Sequence, residues 1–249
     1  MAARRFLAEG PQAVREALAY NGPDSPCVVE IFATVEATQR HPELVSTADA
    51  VGVAWQQVDD AGLASLTETV TPQGVVAVCR FLEASLDTAL AAAPDLVVVC
   101  AHIRDPGNAG TVIRCADAAG AGLVVLAGES VDPYNGKAVR ASVGSVFHLP
   151  VVSGVGVDDA VAAIRASGLQ VLAADGAAAV DVDELVGSGQ LSGRTAWLFG
   201  NEAWGLEPDT AALADQVVRL PIYGRAESLN LATAAAVFLY TSARAQRRG

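Results

Sequence analysis

The chain has 249 residues, 52% of them hydrophobic and 18% charged, and its 16 Lys+Arg against 28 Asp+Glu leave a formal net charge of −12. That composition excludes a disordered tail and a fibre, argues against a protein that grips nucleic acid through general electrostatics, and allows one large domain or two small ones. The four cysteines, Cys27, Cys79, Cys100 and Cys115, show no CxxC spacing, which speaks against a zinc knuckle or a disulfide scaffold and fits a reducing cytoplasm.

The opening MAARRF turns acidic at Glu9 and Glu16 and lacks the apolar core of a signal peptide. PQAVREALAY (11–20) predicts an amphipathic helix, CVVEIFAT (27–34) a strand, and ATQRHPELVSTA (37–48) a helix around a proline. AVGVAWQQV (50–58) predicts a strand, DAGLASLTE (60–68) a short helix and QGVVAVCRF (73–81) a strand, an alternation that makes a small α/β layer. FLEASLDTALAAAPD (81–95) has no strand character and ends at Pro94, so the expected domains are 1–90 and 91–249.

From Asp95 the alternation restarts with LVVVCAHI (96–103) as a strand, NAGTVIRCADAAG (108–120) as a helix and GLVVLAG (122–128) as a strand. VFHLPVV (146–152), LQVLAAD (169–175), TAWLFG (195–200) and VVRLPI (217–222) are further short apolar runs, with a helix at DDAVAAIRASG (158–168). Continuous Val/Leu strands imply a sheet covered on both faces. The last element, SLNLATAAAVFLYTSARAQ (228–246), predicts a long helix with Ser228 at its N-cap. Its small-residue side, Ala232, Ala235 and Ala236, offers close approach to another helix. No run approaches the roughly 18 uninterrupted apolar residues of a membrane span, so no membrane partner is expected.

Three loops at strand ends concentrate polar residues: HIRDPGNAGTVIRCADAAG (102–120), LFGNEAWGLEPD (198–209) and LPIYGRAESLNLATAA (220–235). Ligands of open α/β sheets bind outside the carboxyl ends of the strands. Each loop alone has an ordinary explanation: Asn108 and Ser228 are good helix caps, Arg114 and Asp117 form an i,i+3 surface pair, and glycine loops are turns. Their joint order and spacing weigh against that explanation.

The combination N-x-G-x-x-x-R, F-G-N-E-x-x-G-L and P-I-x-G-x-x-x-S-L-N resembles the three motifs of the SpoU (TrmH-like) RNA ribose 2′-O-methyltransferases, a branch of the SPOUT superfamily. The resemblance covers residues 95–246, and DPYNGKAVRASVG (132–144) looks like the family's inter-motif segment. Residues 1–90 look like the L30e-type substrate-binding domain that many members carry. The resemblance implies an α/β knot catalytic domain with a C-terminal trefoil knot, preceded by a small L30e-like α/β domain. It implies S-adenosylmethionine as cofactor, held by Leu198, Phe199, Gly200, Gly205, Leu220, Ile222 and Leu229. It implies RNA as substrate, with ribosomal RNA fitting the two-domain layout better than transfer RNA, and a homodimer.

The polar motif positions would then be Arg114, Asn108, Glu202, Ser228 and Asn230. Family members place the motif-one arginine at the ribose hydroxyl, in some accounts as general base. A guanidinium has a pKa above about 12, so Arg114 is better read as a permanent cation that clamps a phosphate and stabilises charge developing on oxygen. Asn108, Glu202, Ser228 and Asn230 would orient it and the cofactor loops. His41, His102 and His148 lack metal-ligand spacing and read as structural, so no metal is expected. Lys137 and Arg140 match basic family positions and read either as phosphate or dimer contacts or as solvated charge. Trp204 is bulky for its loop and would narrow the RNA entrance or stack a base. Two rivals stand beside this reading: another nucleotide-using α/β protein, which would not bind S-adenosylmethionine, and an RNA-binding module of the same fold without catalysis.

Overall fold

The computed structural model describes residues 4–22, 25–67, 69, 71–82 and 84–247. In its first third, β1 (Arg5–Glu9), α1 (Pro11–Ala19), β2 (Val28–Ala33), α2 (Val35–Arg40), α3 (Pro42–Ala50), β3 (Ala54–Gln57), α4 (Asp60–Leu66) and β4 (Val75–Arg80) build one layer. Its four strands are ordered β1-β4-β2-β3, with β4 antiparallel to both neighbours and β2 parallel to β3. The edge strand β1 was not expected from its five residues, RFLAE; pairing with β4 along its whole length defines it. The helix expected over 37–48 is two helices, because Pro42 restricts the residue before it, and His41 sits at φ −124, ψ 56 between them.

After α5 (Leu86–Ala91), capped by the Ser85 hydroxyl, a second layer begins. It comprises β5 (Leu96–Ala101), α6 (Pro106–Ala119), β6 (Leu123–Ala127), α7 (Gly136–Ser142), β7 (Val151–Ser153), α8 (Val157–Ala166), β8 (Gln170–Ala174) and β9 (Val180–Asp181). α9 (Val182–Gly187), β10 (Thr195–Phe199), α10 (Pro208–Ala211), β11 (Gln216–Arg219) and α11 (Leu231–Gln246) complete it. The seven strands are ordered β7-β6-β5-β10-β8-β11-β9 and all pairs are parallel. The apolar run VFHLPVV is not one strand: Ser145–Phe147 is a 3-10 turn, and β7 starts only after Pro150.

β5, β6 and β10 are buried at every position, as a sheet covered on both faces requires. Side chains alternate between two cores. Val98, Cys100, Leu126, Trp197 and Phe199 enter one, while Val97, Val99, Val125, Ala196 and Leu198 enter the other. α6 and α11 cover the first face, where the Trp197 indole N–H donates to the Ser242 hydroxyl at 2.8 Å. The small side of α11 receives α6 of this same chain, with Ala232 and Ala235 buried, so the outward side is instead Thr233, Val237, Tyr240 and Arg244. Gly110 permits the approach of α6 to α7, since a Cβ there would stand 2.2 Å from the Ala138 carbonyl oxygen.

The first core cluster continues without interruption from Phe6 and Ile31 in one layer to Trp197 in the other. At the seam the Tyr134 ring lies 4.6 Å from Phe6 and 4.3 Å from Phe81. The Tyr134 hydroxyl donates to the Leu82 carbonyl at 2.6 Å and accepts the Leu82 N–H at 3.0 Å. Arg140 pairs across the seam with Glu9 at 2.7 Å, so it serves as a tie between layers.

Candidate functional site

A parallel sheet delivers all its carboxyl ends to one edge, and there the exits of β5, β10 and β11 bring the three polar loops together. β5 ends at Ala101, and His102 after it adopts a left-handed φ of 58. Its Nδ1 accepts the Glu129 N–H at 3.1 Å and its carbonyl accepts the Asn201 side-chain N–H at 2.6 Å, a structural role as expected. Asp105 then caps α6 by accepting the Asn108 N–H at 2.7 Å. Its second oxygen meets Lys137 at 2.8 Å; the hydrogen bond from Lys137, with the one from Asn108, holds the carboxyl below its usual range. Lys137 is thus paired within the chain.

Because Asp105 takes the cap expected of Asn108, the Asn108 side chain is free to reach across. Its Nδ2 donates to Glu202 at 3.2 Å, while its Oδ1 accepts from Asn230 Nδ2 at 3.1 Å. Glu202 also receives the N–H groups of Arg104 at 3.4 Å and Asp105 at 3.3 Å. Asn230, not Ser228, is the cap of α11: its Oδ1 accepts the N–H groups of Ala232 at 2.9 Å and Thr233 at 3.3 Å. An amide can cap through its oxygen and still donate through its nitrogen to a second group; a serine hydroxyl has one proton and no second arm.

The loop after β10 folds back on itself. Asn201 and Gly205 exchange two backbone hydrogen bonds of 2.9 Å, and Gly205 takes a left-handed φ of 71. A Cβ on Gly200 would stand 2.2 Å from the Gly205 carbonyl, so only glycine fits. This fold, the loop after β11 and the start of α11 enclose a cavity of about 300 Å³. Phe199, Gly200, Glu202, Gly205, Leu220, Ile222, Ser228 and Leu229 all line it. Leu198 does not: strand alternation turns its side chain into the core on the far face of β10. Asn108 and Asn230 brace the rim through Glu202. Asp175 and Gly176, also in the lining, are invisible to motif reading, because only the strand order places the end of β8 beside that of β10.

Arg114 stands apart. It lies on the exposed side of α6, outside the lining, with no hydrogen bond or ion pair among the described residues. Asp117 does not pair with it but with His148, at 2.7 Å, and His148 also reaches Glu16 at 3.1 Å. Beside the cavity, burial pushes the Cys100 thiol up to about 12, which keeps it protonated and inert. Among the described residues no group of three or more His, Cys, Asp or Glu could hold a metal ion, and no helix is long and apolar enough to cross a membrane.

The cavity joins apolar walls to a glycine-built cradle and a carboxylate-amide rim, a setting for an amphipathic cofactor beside a polar substrate. The sequence profile of the SpoU rRNA Methylase family matches residues 95–240, and that of RNA 2'-O ribose methyltransferase substrate binding matches residues 7–85. The chain is 35% identical over 238 residues to the 23S rRNA (guanosine(2553)-2'-O)-methyltransferase RlmP of Bacillus subtilis, covering 94% of this chain and 87% of that protein. Among solved structures it resembles the SpoU methyltransferase AviRb from Streptomyces viridochromogenes in complex with the cofactor AdoMet. The TM-score is 0.83 at 32% identity, covering 99% of this chain and 92% of that one. An rRNA methyltransferase from Sinorhizobium meliloti matches with a TM-score of 0.80 at 31% identity, over 97% of this chain and 88% of that one.

Proposed function

Because the chain belongs to the SpoU rRNA methylase family, we propose that it transfers a methyl group from S-adenosylmethionine to a ribose 2′-hydroxyl of ribosomal RNA, with residues 1–90 presenting the RNA and residues 91–249 carrying the reaction. The observation that carries this reading is the hydrogen-bonded chain Asn230–Asn108–Glu202, which joins three distant loops at the rim of one cavity. The two separate sheets support the division at residue 90.

The residues present fit the cofactor. The loop after β10 can close on itself at the cavity only because Gly200 has no Cβ to meet the Gly205 backbone, Phe199, Leu220, Ile222 and Leu229 give apolar walls, and Glu227 and Ser228 offer polar groups. When bound, S-adenosylmethionine supplies a methyl group on a cationic sulfur. The chain's own groups do the rest. Glu202 already accepts three N–H groups, so it holds the loops rather than taking a proton. The Arg114 guanidinium binds the RNA phosphate next to the target and stabilises charge on the ribose oxygen. The proton passes to solvent or to that phosphate. These roles need no metal ion.

The same reading makes the protein a homodimer in which Arg114 of one copy serves the cavity of the other. Three features support it: Arg114 is exposed and unpartnered among the described residues, residues 222–230 are exposed throughout, and α11 turns Val237 and Tyr240 outward. That none of the four cysteines is joined in a disulfide supports the cytoplasm as the compartment. Subunit mixing tests the proposal. Arg114→Ala and Gly200→Ala copies should each fail to methylate ribosomal RNA, and a reassociated mixture should recover part of the activity. Gly200→Ala should abolish S-adenosylmethionine binding in calorimetry, while Arg114→Ala keeps it. A wild-type protein that binds no S-adenosylmethionine, or a mixture as inactive as its components, overturns the assignment.

A further inference from the structure

Exposed aromatic surface gathers at the mouth of the cavity. Tyr223 is 90% exposed and Trp204 51% exposed. They sit on the two loops whose members Ile222, Ala203 and Gly205 line it. The Asn201–Gly205 bridge braces the backbone of the Trp204 loop. The Arg104 guanidinium lies 5.9 Å from its ring centroid, and Arg104 is itself fixed by Glu129 at 2.6 Å. A large ring held in place yet left half in water forgoes the gain that burial would bring, unless something else covers it.

Charge indicates what covers it. The protein carries −12 overall, and around the site Arg104 is paired with Glu129 and Lys137 with Asp105, which leaves Arg225 as the cation without an ion pair on these loops among the described residues. With so little positive charge at the mouth, RNA affinity gains from a source that does not depend on net charge. Stacking of bases on aromatic rings is such a source, and it needs bases that are already out of a helix.

We propose that Trp204, backed by Arg104, is a stacking platform for an unpaired nucleobase adjacent to the methylated ribose. The inference rests on the methyl-transfer reading above and narrows its substrate to a ribose in a loop, bulge or opened segment.

Steady-state methylation of protein-free ribosomal RNA, taken from cells lacking this protein, tests it on the wild type, Trp204→Ala and Trp204→Phe. Calorimetry with S-adenosylmethionine runs alongside. Trp204→Ala should raise KM for RNA on the order of 10- to 100-fold, leaving kcat at saturating RNA and the S-adenosylmethionine Kd unchanged, and Trp204→Phe should restore most of the loss. An unchanged KM in Trp204→Ala beside an active wild type overturns the platform alone. A variant that loses S-adenosylmethionine affinity together with RNA affinity has a disordered loop, which overturns it as well. A wild type that binds S-adenosylmethionine yet methylates no ribosomal RNA overturns the enzymatic reading and the platform with it.

Discussion

Asn230 performs two tasks with one amide. Its oxygen caps α11 and its nitrogen holds Asn108, which in turn holds Glu202. The two tasks can be separated by substitution. Asn230→Ser keeps a good cap and should leave the melting temperature nearly unchanged, because Ser and Asn are close in capping strength. It should still slow methyl transfer on the order of 10-fold or more, since a loosened rim misplaces the reacting groups. Asn230→Ala should show the same loss of rate and cost about 1 kcal/mol in thermal unfolding as well. If Asn230→Ser retains full activity, the link to Asn108 has no catalytic consequence.

At the scale of elements, the seam between the layers depends on Tyr134. Its ring sits between Phe6 and Phe81, while its hydroxyl bonds both backbone groups of Leu82. Tyr134→Phe retains the stack and removes both bonds, so denaturant unfolding should show a loss of about 1–2 kcal/mol without a change in activity per folded molecule. The elements themselves were largely legible in the sequence, because periodic runs such as LVVVCAHI and PQAVREALAY carry their own burial pattern. The exceptions have local causes. Pro42 split a helix that periodicity alone would continue, and Pro150 delayed a strand. Asp105 and Asn230 displaced Asn108 and Ser228 as caps, since several capping residues stand in each loop and only the backbone path chooses between them. β1 has only five residues and gains its identity from β4, a partner about seventy residues later.

At the scale of the molecule, the three motifs were legible because each is a compact run of residues, but their meeting point was not. Sheet order decides that β8 contributes Asp175 and Gly176, and strand alternation decides that Leu198 faces away. The packing of the layers likewise makes Arg140, read as a phosphate or dimer contact or as solvated charge, an internal tie to Glu9, and gives His148, read as structural, its partners in Glu16 of α1 and Asp117 of α6. This last tie makes the join between layers sensitive to pH. Partial burial lowers the pKa of His148, but hydrogen bonds to Asp117 and Glu16 outweigh it, and the net direction is upward. The folded protein therefore prefers the imidazolium. Its contribution is complete below the unfolded value of about 6.5 and fades as pH rises through the raised folded value. All three groups retain contact with water, so the tie is worth less than about 1 kcal/mol. Thermal unfolding of His148→Gln should fall below that of the wild type at about pH 6 and approach it as pH rises through the raised folded value, where the wild-type imidazole loses its proton. A constant gap between the two curves across that range would mean that His148 supports the seam by packing rather than by charge.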